Sequence, residues 1–299
     1  MLDILTKILE KLLLLGATGF LGRPLLNNLE KKQSIKIMTH NSTFSTNIQK
    51  FKGDILKKKS FENEISNDDT VLNLIGQISP NISEYANLNI IGALNLLNAC
   101  IEKKINRIIL ISSIHVYGEN LRSASKETDS LKPKTQYGLV KMITEQIYEY
   151  FSNSYGLDVT VLRLGGLYGP GKKTGFISQL FNSVNNSRIH PILYNDGKQF
   201  RDLLHVDDAV NGIESAIKTP RKKFEIFNIS SGKRYSMNHL VSVIESFSNK
   251  KLPITYTPEI VDEKCIWANN SKAQKILNFK PKITLNTGIK STLNFYSNN

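Results

Sequence analysis

A short apolar run, Leu12 to Leu15, passes directly into Gly16-Ala17-Thr18-Gly19-Phe20-Leu21-Gly22 and then into Pro24, Leu25, Leu26 and Leu29 at helical spacing. A buried strand, a glycine turn and a helix, in that order, commit the start of the chain to a βαβ unit. Glycines make the turn tight and let backbone N–H groups approach an anion at the positive end of the helix. The expected occupant is the pyrophosphate of a dinucleotide, held by Gly16, Thr18, Gly19, Phe20, Leu21 and Gly22.

Beyond this turn, apolar runs alternate with helical patterns as far as about residue 165. Strands are expected at Leu12 to Leu15, Ile35 to Thr39, Thr70 to Ile75, Arg107 to Ser112 and Asp158 to Leu164. Helices are expected over Tyr85 to Lys103, where Leu88, Ile91, Leu94, Leu97 and Ile101 recur, and over Tyr137 to Tyr150. The second helix is expected to present Leu139, Met142, Ile143, Ile147 and Tyr150 on one side. Gly165, Gly166, Gly169, Pro170 and Gly171 mark a loop, after which the pieces become shorter. The fold class is therefore α/β: a doubly wound parallel sheet, or Rossmann fold, with a smaller C-terminal α/β substrate-binding lobe. Residues 11–165 form the dinucleotide-binding domain and about 202–232 return to it, since Phe224 to Ile229 reads as a late strand. Residues 166–201 and 233–299 form the second lobe, and residues 1–10 a short amphipathic extension.

The net charge of +13 raises the question of nucleic acid, but Lys57 to Lys59, Lys172 and Lys173, and Lys250 and Lys251 are short, scattered clusters with no interleaved aromatics. No nucleic-acid partner is expected. No stretch approaches the roughly 20 apolar residues of a membrane-spanning helix, so no membrane partner is expected either. Two cysteines, Cys100 and Cys265, are too few for a disulfide framework and fit a reducing cytoplasm. None of the five histidines, among them His40 and His115, forms a ligand spacing with another His or Cys, so no metal is expected. The chain also lacks a G-x-S-x-G nucleophile elbow.

Tyr137 and Lys141 are four apart, hence one turn apart on a helix face. An ammonium near a phenol stabilises the phenolate, so the pair can exchange a proton with an alcohol or ketone. The strand ending in Ser112-Ser113 reaches the carboxyl edge of the sheet, where such folds bind ligands. A ribose-binding carboxylate is expected about 20 residues past the glycine turn, yet the chain reads Thr39-His40-Asn41-Ser42. A 2′-phosphate is not repelled there, with His40 or Lys36 nearby, so the cofactor is NAD or NADP.

Several ordered motifs extend the pattern: Gly53-Asp54-Ile55, Asn89-Ile90-Ile91-Gly92, Ser112-Ser113-Ile114-His115-Val116-Tyr117-Gly118 and Tyr137-Gly138-Leu139-Val140-Lys141. Leu167-Tyr168-Gly169-Pro170-Gly171, Arg201-Asp202-Leu203-Leu204-His205-Val206-Asp207-Asp208 and Trp267-Ala268-Asn269-Asn270-Ser271-Lys272-Ala273 follow. With these the chain resembles the extended short-chain dehydrogenases/reductases of the NAD-dependent epimerase/dehydratase family, which mostly act on nucleotide-linked sugars. The resemblance implies that Tyr137 is the acid/base, that Lys141 lowers its pKa and holds the nicotinamide ribose, and that Ser113 hydrogen-bonds the reacting oxygen. It places Asp54 at the adenine, Ile55, Leu74, Ile75 and Gly76 along the cofactor, Arg201 at the substrate diphosphate and Asp262 at the nucleotide ribose.

Departures from the family pattern narrow the activity. Ile114 and His115 stand where dehydratases carry Asp and Glu, which disfavours dehydration. Gly166 replaces an Asn common in epimerases, an arginine near Glu259 is missing, and Asn73-Leu74-Ile75-Gly76 replaces a common His-Leu-Ala-Ala. The resemblance implies an epimerase acting at C4 through a keto intermediate. A 4-keto-sugar-nucleotide reductase is the alternative, and a non-catalytic dinucleotide-binding subunit the reading from another class. The family also implies a homodimer and a place in pathways such as polysaccharide biosynthesis.

Overall fold

The computed structural model describes residues 11–41, 46–76, 81–220, 222–259 and 264–297; the expected extension over residues 1–10 and Asp262 lie outside them. The first strands are β1 (Lys11–Leu15), β2 (Ile35–Thr39), β3 (Gln49–Lys52), β4 (Asp69–Asn73), β5 (Arg107–Ser113) and β6 (Asp158–Leu164). With the late strand Phe224–Ile229 they form one seven-stranded sheet in the order β3-β2-β1-β4-β5-β6-(224–229). The sheet is parallel and flanked by helices. Strand order reverses between β1 and β4, and ligands of doubly wound sheets bind outside the carboxyl ends of the strands at such a point.

The apolar runs become strands because both of their faces are covered: β1 buries Leu12 to Leu15, and every residue of β5 is buried. The helices are α1 (Gly22–Leu29), α2 (Ile82–Ala86), α3 (Gly92–Glu102), α4 (Gln136–Tyr155), α5 (Phe176–Asn185), α6 (Val206–Lys218), α7 (Met237–Ser248), α8 (Ser271–Leu277) and α9 (Leu285–Ser297).

The chain divides into two compact units. One comprises residues 1–112, 140–162 and 216–226, and the other residues 113–139, 163–215 and 227–299. The core of the first joins Leu13, Leu15, Val71, Leu96, Leu97, Ile108, Leu110, Tyr148 and Val161. Leu180, Phe181, Leu193, Leu240, Ile244 and Ile289 lie in the core of the second, under α5, α7 and α9.

Three expectations need correction, and one strand is additional. β3 was not foreseen, because Gln49–Lys52 is a largely exposed edge strand with a single apolar residue. The helix expected over Tyr85 to Lys103 is α2 and α3 joined by a π-helical turn over Asn87–Ile91. The glycine-rich stretch after Gly165 is not all loop, since Gly166–Tyr168 pairs in parallel with Leu203–His205. α4 runs on to Tyr155 and buries a different face from the apolar one: Val140, Lys141, Thr144, Glu145, Tyr148 and Phe151 are buried, while Leu139 and Tyr150 are 44% and 61% exposed.

Candidate active site

The glycine turn is fitted to its own backbone. Gly16 has φ +84°, in the left-handed region, and a Cβ there would lie 3.1 Å from the Leu74 carbonyl carbon beyond β4. Gly22 opens α1 so close to the turn that a Cβ would lie 2.3 Å from the Gly16 oxygen. The first turn of α1 carries no acidic residue and no side-chain cap. A main-chain cradle at a helix N-terminus without a competing carboxylate suits an anionic pyrophosphate, so the residues present fit a dinucleotide. Thr18, by its carbonyl, receives the Arg23 Nε–H at 3.0 Å.

At the end of β2, exposed His40 places Nδ1 3.9 Å from Oδ1 of Asp54. Asp54 is held by its own loop, accepting the Leu56 N–H at 3.0 Å. Lys36 is committed elsewhere, to the Glu64 carboxylate at 2.8 Å and carbonyl at 2.7 Å. Ile55 sends its side chain into the core and gives its carbonyl to Asn95 at 3.0 Å. After β4, the Leu74 N–H returns to the Leu15 carbonyl and the Ile75 N–H to Oδ1 of Asn73, so the segment leading to Gly76 is pinned to β4 and β1.

Gly76 forms one wall of a cluster that periodicity does not reveal. A Cβ on it would lie 2.4 Å from Nζ of Lys141 and 3.4 Å from Oδ1 of Asn89. Lys141 is buried and donates to the Ile111 carbonyl of β5 at 3.2 Å. Burial pulls its amine down to about 8, and the charge of Glu145 opposes that fall. Asn89 is buried in the π-helical turn and donates through Nδ2 to the Tyr85 carbonyl at 2.8 Å, leaving Oδ1 near Gly76. Such turns recur at functional sites. Asn89 entered the sequence reading within the Asn89-Ile90-Ile91-Gly92 motif without a role; the structure brings its side chain beside Gly76.

A second cluster lies in the other unit. Ser113 ends β5, and its hydroxyl accepts the His115 N–H at 3.3 Å, capping the short 3₁₀ turn Ile114–Tyr117. The same side chain is hydrogen-bonded to the Tyr137 phenol. Burial pushes that phenol above its ordinary value, and the Ser113 hydrogen bond works against the rise. Tyr137 is set at the first turn of α4 because Thr135 caps the helix, accepting the Gly138 N–H at 3.1 Å on its hydroxyl and the Leu139 N–H at 2.9 Å on its carbonyl. Gly138 is required there: a Cβ would lie 2.5 Å from the His115 carbonyl oxygen. The His115 ring stands edge-on to Tyr137, centroids 5.5 Å apart at 80°. Covalent continuity links the two clusters, since Ser112 and Ser113 are neighbours on β5 and Tyr137 and Lys141 share α4.

Arg201 lies on the short strand Phe200–Arg201, between Tyr235–Ser236 and Cys265–Ile266, and its Nη1 donates to the Phe200 carbonyl at 2.9 Å. Asp202 next to it turns inward to Ser231, Gly232 and Ala268.

A glycine turn under a doubly wound parallel sheet, with serine, tyrosine and lysine on β5 and α4, defines a protein of the extended short-chain dehydrogenase/reductase type. The chain belongs to the NAD dependent epimerase/dehydratase family, which it matches over residues 12–230. It is 30% identical over 219 residues to a UDP-glucuronate 4-epimerase of Thermodesulfobacterium geofontis, covering 72% of this chain and 67% of that protein. Among solved structures, UDP-glucose 4-epimerase of Thermotoga maritima, with UDP-glucose, is 26% identical with a TM-score of 0.87 over 96% of this chain and 99% of that one. MoeE5 in complex with UDP-glucuronic acid and NAD is 25% identical, also with a TM-score of 0.87 over 96% and 99%.

Proposed function

We propose that the protein is an NAD-dependent nucleotide-sugar 4-epimerase acting on a UDP-linked hexose. The observation that carries the reading is the hydrogen-bonded Ser113–Tyr137 pair one helical turn before a buried lysine whose amine stands near 8. Support comes from the match to the 4-epimerase of T. geofontis and from solved relatives holding UDP-sugars and NAD.

Gly16, Thr18, Gly19, Phe20, Leu21 and Gly22 would hold the pyrophosphate, Asp54 and His40 the adenosine end, and Leu74, Ile75 and Gly76 the stretch leading to the nicotinamide. A carboxylate beside His40 is unfavourable to a 2′-phosphate, which supports NAD over NADP. The chemistry the bound dinucleotide supplies is reversible hydride acceptance. Tyr137 takes the proton of the sugar C4 hydroxyl and later returns it, so charge does not build up on that oxygen. Ser113 hydrogen-bonds the same oxygen, and the Lys141 ammonium favours the phenolate and holds the nicotinamide ribose. The sugar turns over as its 4-keto form, so that C4 regains hydride on its opposite face while Tyr137 returns the proton to the oxygen.

Arg201 is assigned to the substrate diphosphate, where a planar guanidinium binds two oxygens at once; Asp262 is assigned to the nucleotide ribose. The exposed apolar residues of the π turn and α4, Ile91, Leu139 and Tyr150, support a homodimer. Cys100 and Cys265 are both buried free thiols, in keeping with a cytoplasmic protein. No helix among the described residues is long and apolar enough to cross a membrane.

Tyr137→Phe tests the reading. It should lower turnover of a UDP-hexose about 10²–10⁴-fold while leaving NAD affinity unchanged. A variant that retains most of its activity refutes the assignment of the acid/base.

A further inference from the structure

α4 turns two ionisable side chains inward, and the proposed chemistry uses one of them. Lys141 is 4% exposed and Glu145, one turn later, 3%. Four residues apart on a helix, their Cβ atoms stand about 5–6 Å apart on one face. Both are fixed from the same strand. Ser112 of β5 donates its hydroxyl to Oε1 of Glu145, and the Ile111 carbonyl of β5 accepts from Nζ of Lys141. Consecutive residues of β5 therefore hold a carboxyl and an amine carried by one helix. A carboxylate buried this deeply is strongly unfavourable unless it meets donors and positive charge; the Ser112 hydroxyl is one such donor and the Lys141 amine a nearby positive charge.

We propose that Glu145 is a positioning residue of the site: its buried carboxylate, braced by Ser112, keeps Lys141 in the ammonium form and seated against β5. The use of that ammonium in turnover rests on the epimerase reading; the pairing itself does not. Burial drives the Lys141 amine down, and the Glu145 charge drives it back up. Neighbouring elements bring ionisable groups too: Arg163 of β6 is buried, shares a sheet face with Val159 and Val161 by strand alternation, and donates through Nη1 to the Tyr117 hydroxyl at 2.8 Å. Tyr137 and Tyr148 flank the pair on α4, and Tyr148 accepts from the Asn73 amide of β4. Arg107, at the opposite end of β5, is occupied with the Ala216 and Ile217 carbonyls. Residues 74–76 and the π turn carry no ionisable side chain, and α2 brings the Tyr85 phenol.

The decisive experiment titrates Lys141 in the cofactor-free full chain by ¹³C-lysine NMR, with its resonance assigned through Lys141→Arg. The wild-type midpoint is expected near 8. Glu145→Gln, of nearly the same shape, should lower it by about one to three units, and Glu145→Asp should restore it to within about half a unit. A merely structural role would leave the midpoint in place. The alkaline limb of kcat/KM for a UDP-hexose should fall by the same interval in the glutamine variant. An unshifted Lys141 midpoint in folded Glu145→Gln overturns the pairing whatever the activity. An inactive wild-type enzyme refutes the epimerase reading and leaves the titration to decide the pairing. If the glutamine variant does not fold, the wild type still decides: a Glu145 carboxyl carbon that stays in its protonated form across the range where Lys141 titrates overturns the proposal.

Discussion

Replacing Gly22 by alanine separates the packing of the glycine turn from its use. The new Cβ would lie 2.3 Å from the Gly16 oxygen and 2.7 Å from both the carbonyl carbon and the Cα of Ala17. All three atoms are main chain, so no side chain can rotate away. Ordinary contact at about 3.4 Å requires α1 and the turn to part by roughly 1 Å, and overpacking of this kind costs about 1–3 kcal/mol. For a protein of this size that lowers Tm by several degrees, at about 2–4 °C per kcal/mol. A shift of about 1 Å at a positioning element also costs on the order of 10²-fold in function, here NAD affinity. Gly19→Ala is the control: its Cβ would sit 3.4 Å from the Gly16 oxygen, which is ordinary contact. It should leave Tm almost unchanged and still weaken NAD, because the second glycine of such a turn admits the pyrophosphate. Thermal melts and calorimetric NAD titrations read both quantities. Wild-type stability and affinity in Gly22→Ala would refute the reasoning.

Two further outcomes follow from buried charges. The folded pKa of Lys141, about 8, lies below its ordinary 10.5, so the unfolded chain binds the extra proton between those values and stability rises with pH across that window. Wild type should gain on the order of 3 kcal/mol relative to Lys141→Met between pH 8 and pH 10.5, measured by denaturant titration; a flat difference contradicts the lowered pKa of the buried amine. Asp208 accepts the N–H groups of Lys282 and Ile283 at 3.0 and 2.9 Å, holding the segment that leads into α9. Asp208→Ala should destabilise by about 1–3 kcal/mol, since two part-buried N–H groups lose their acceptor, and a Tm unchanged in melts would show that the segment is held by other means.

The parts of this architecture that local pattern specifies were legible in the sequence. β2 and β6 begin and end where expected, because Ile35, Ile37 and Met38 in the one and Val159, Val161, Leu162 and Leu164 in the other are apolar residues that the sheet buries. The glycine turn was legible for the same reason, since its geometry is set within seven residues. β3 was not, as an exposed edge strand has no apolar face to announce it. α4 shows the deeper limit. Hydrophobic periodicity pointed to Leu139 and Tyr150, whereas the helix buries Lys141, Thr144 and Glu145, because Ile111 and Ser112 of β5 supply hydrogen-bond partners to Lys141 and Glu145. The close approach of Lys141 and Asn89 to Gly76 depends on contacts between segments far apart in the chain, and no local spacing reports it.

Hydride return within one bound molecule is the most direct test of the whole account. A UDP-hexose deuterated at C4, incubated with the NAD-loaded enzyme in ordinary water, should give the C4 epimer with its deuterium retained and no net NADH. Deuterium lost to solvent, or stoichiometric consumption of added nicotinamide cofactor, would contradict it.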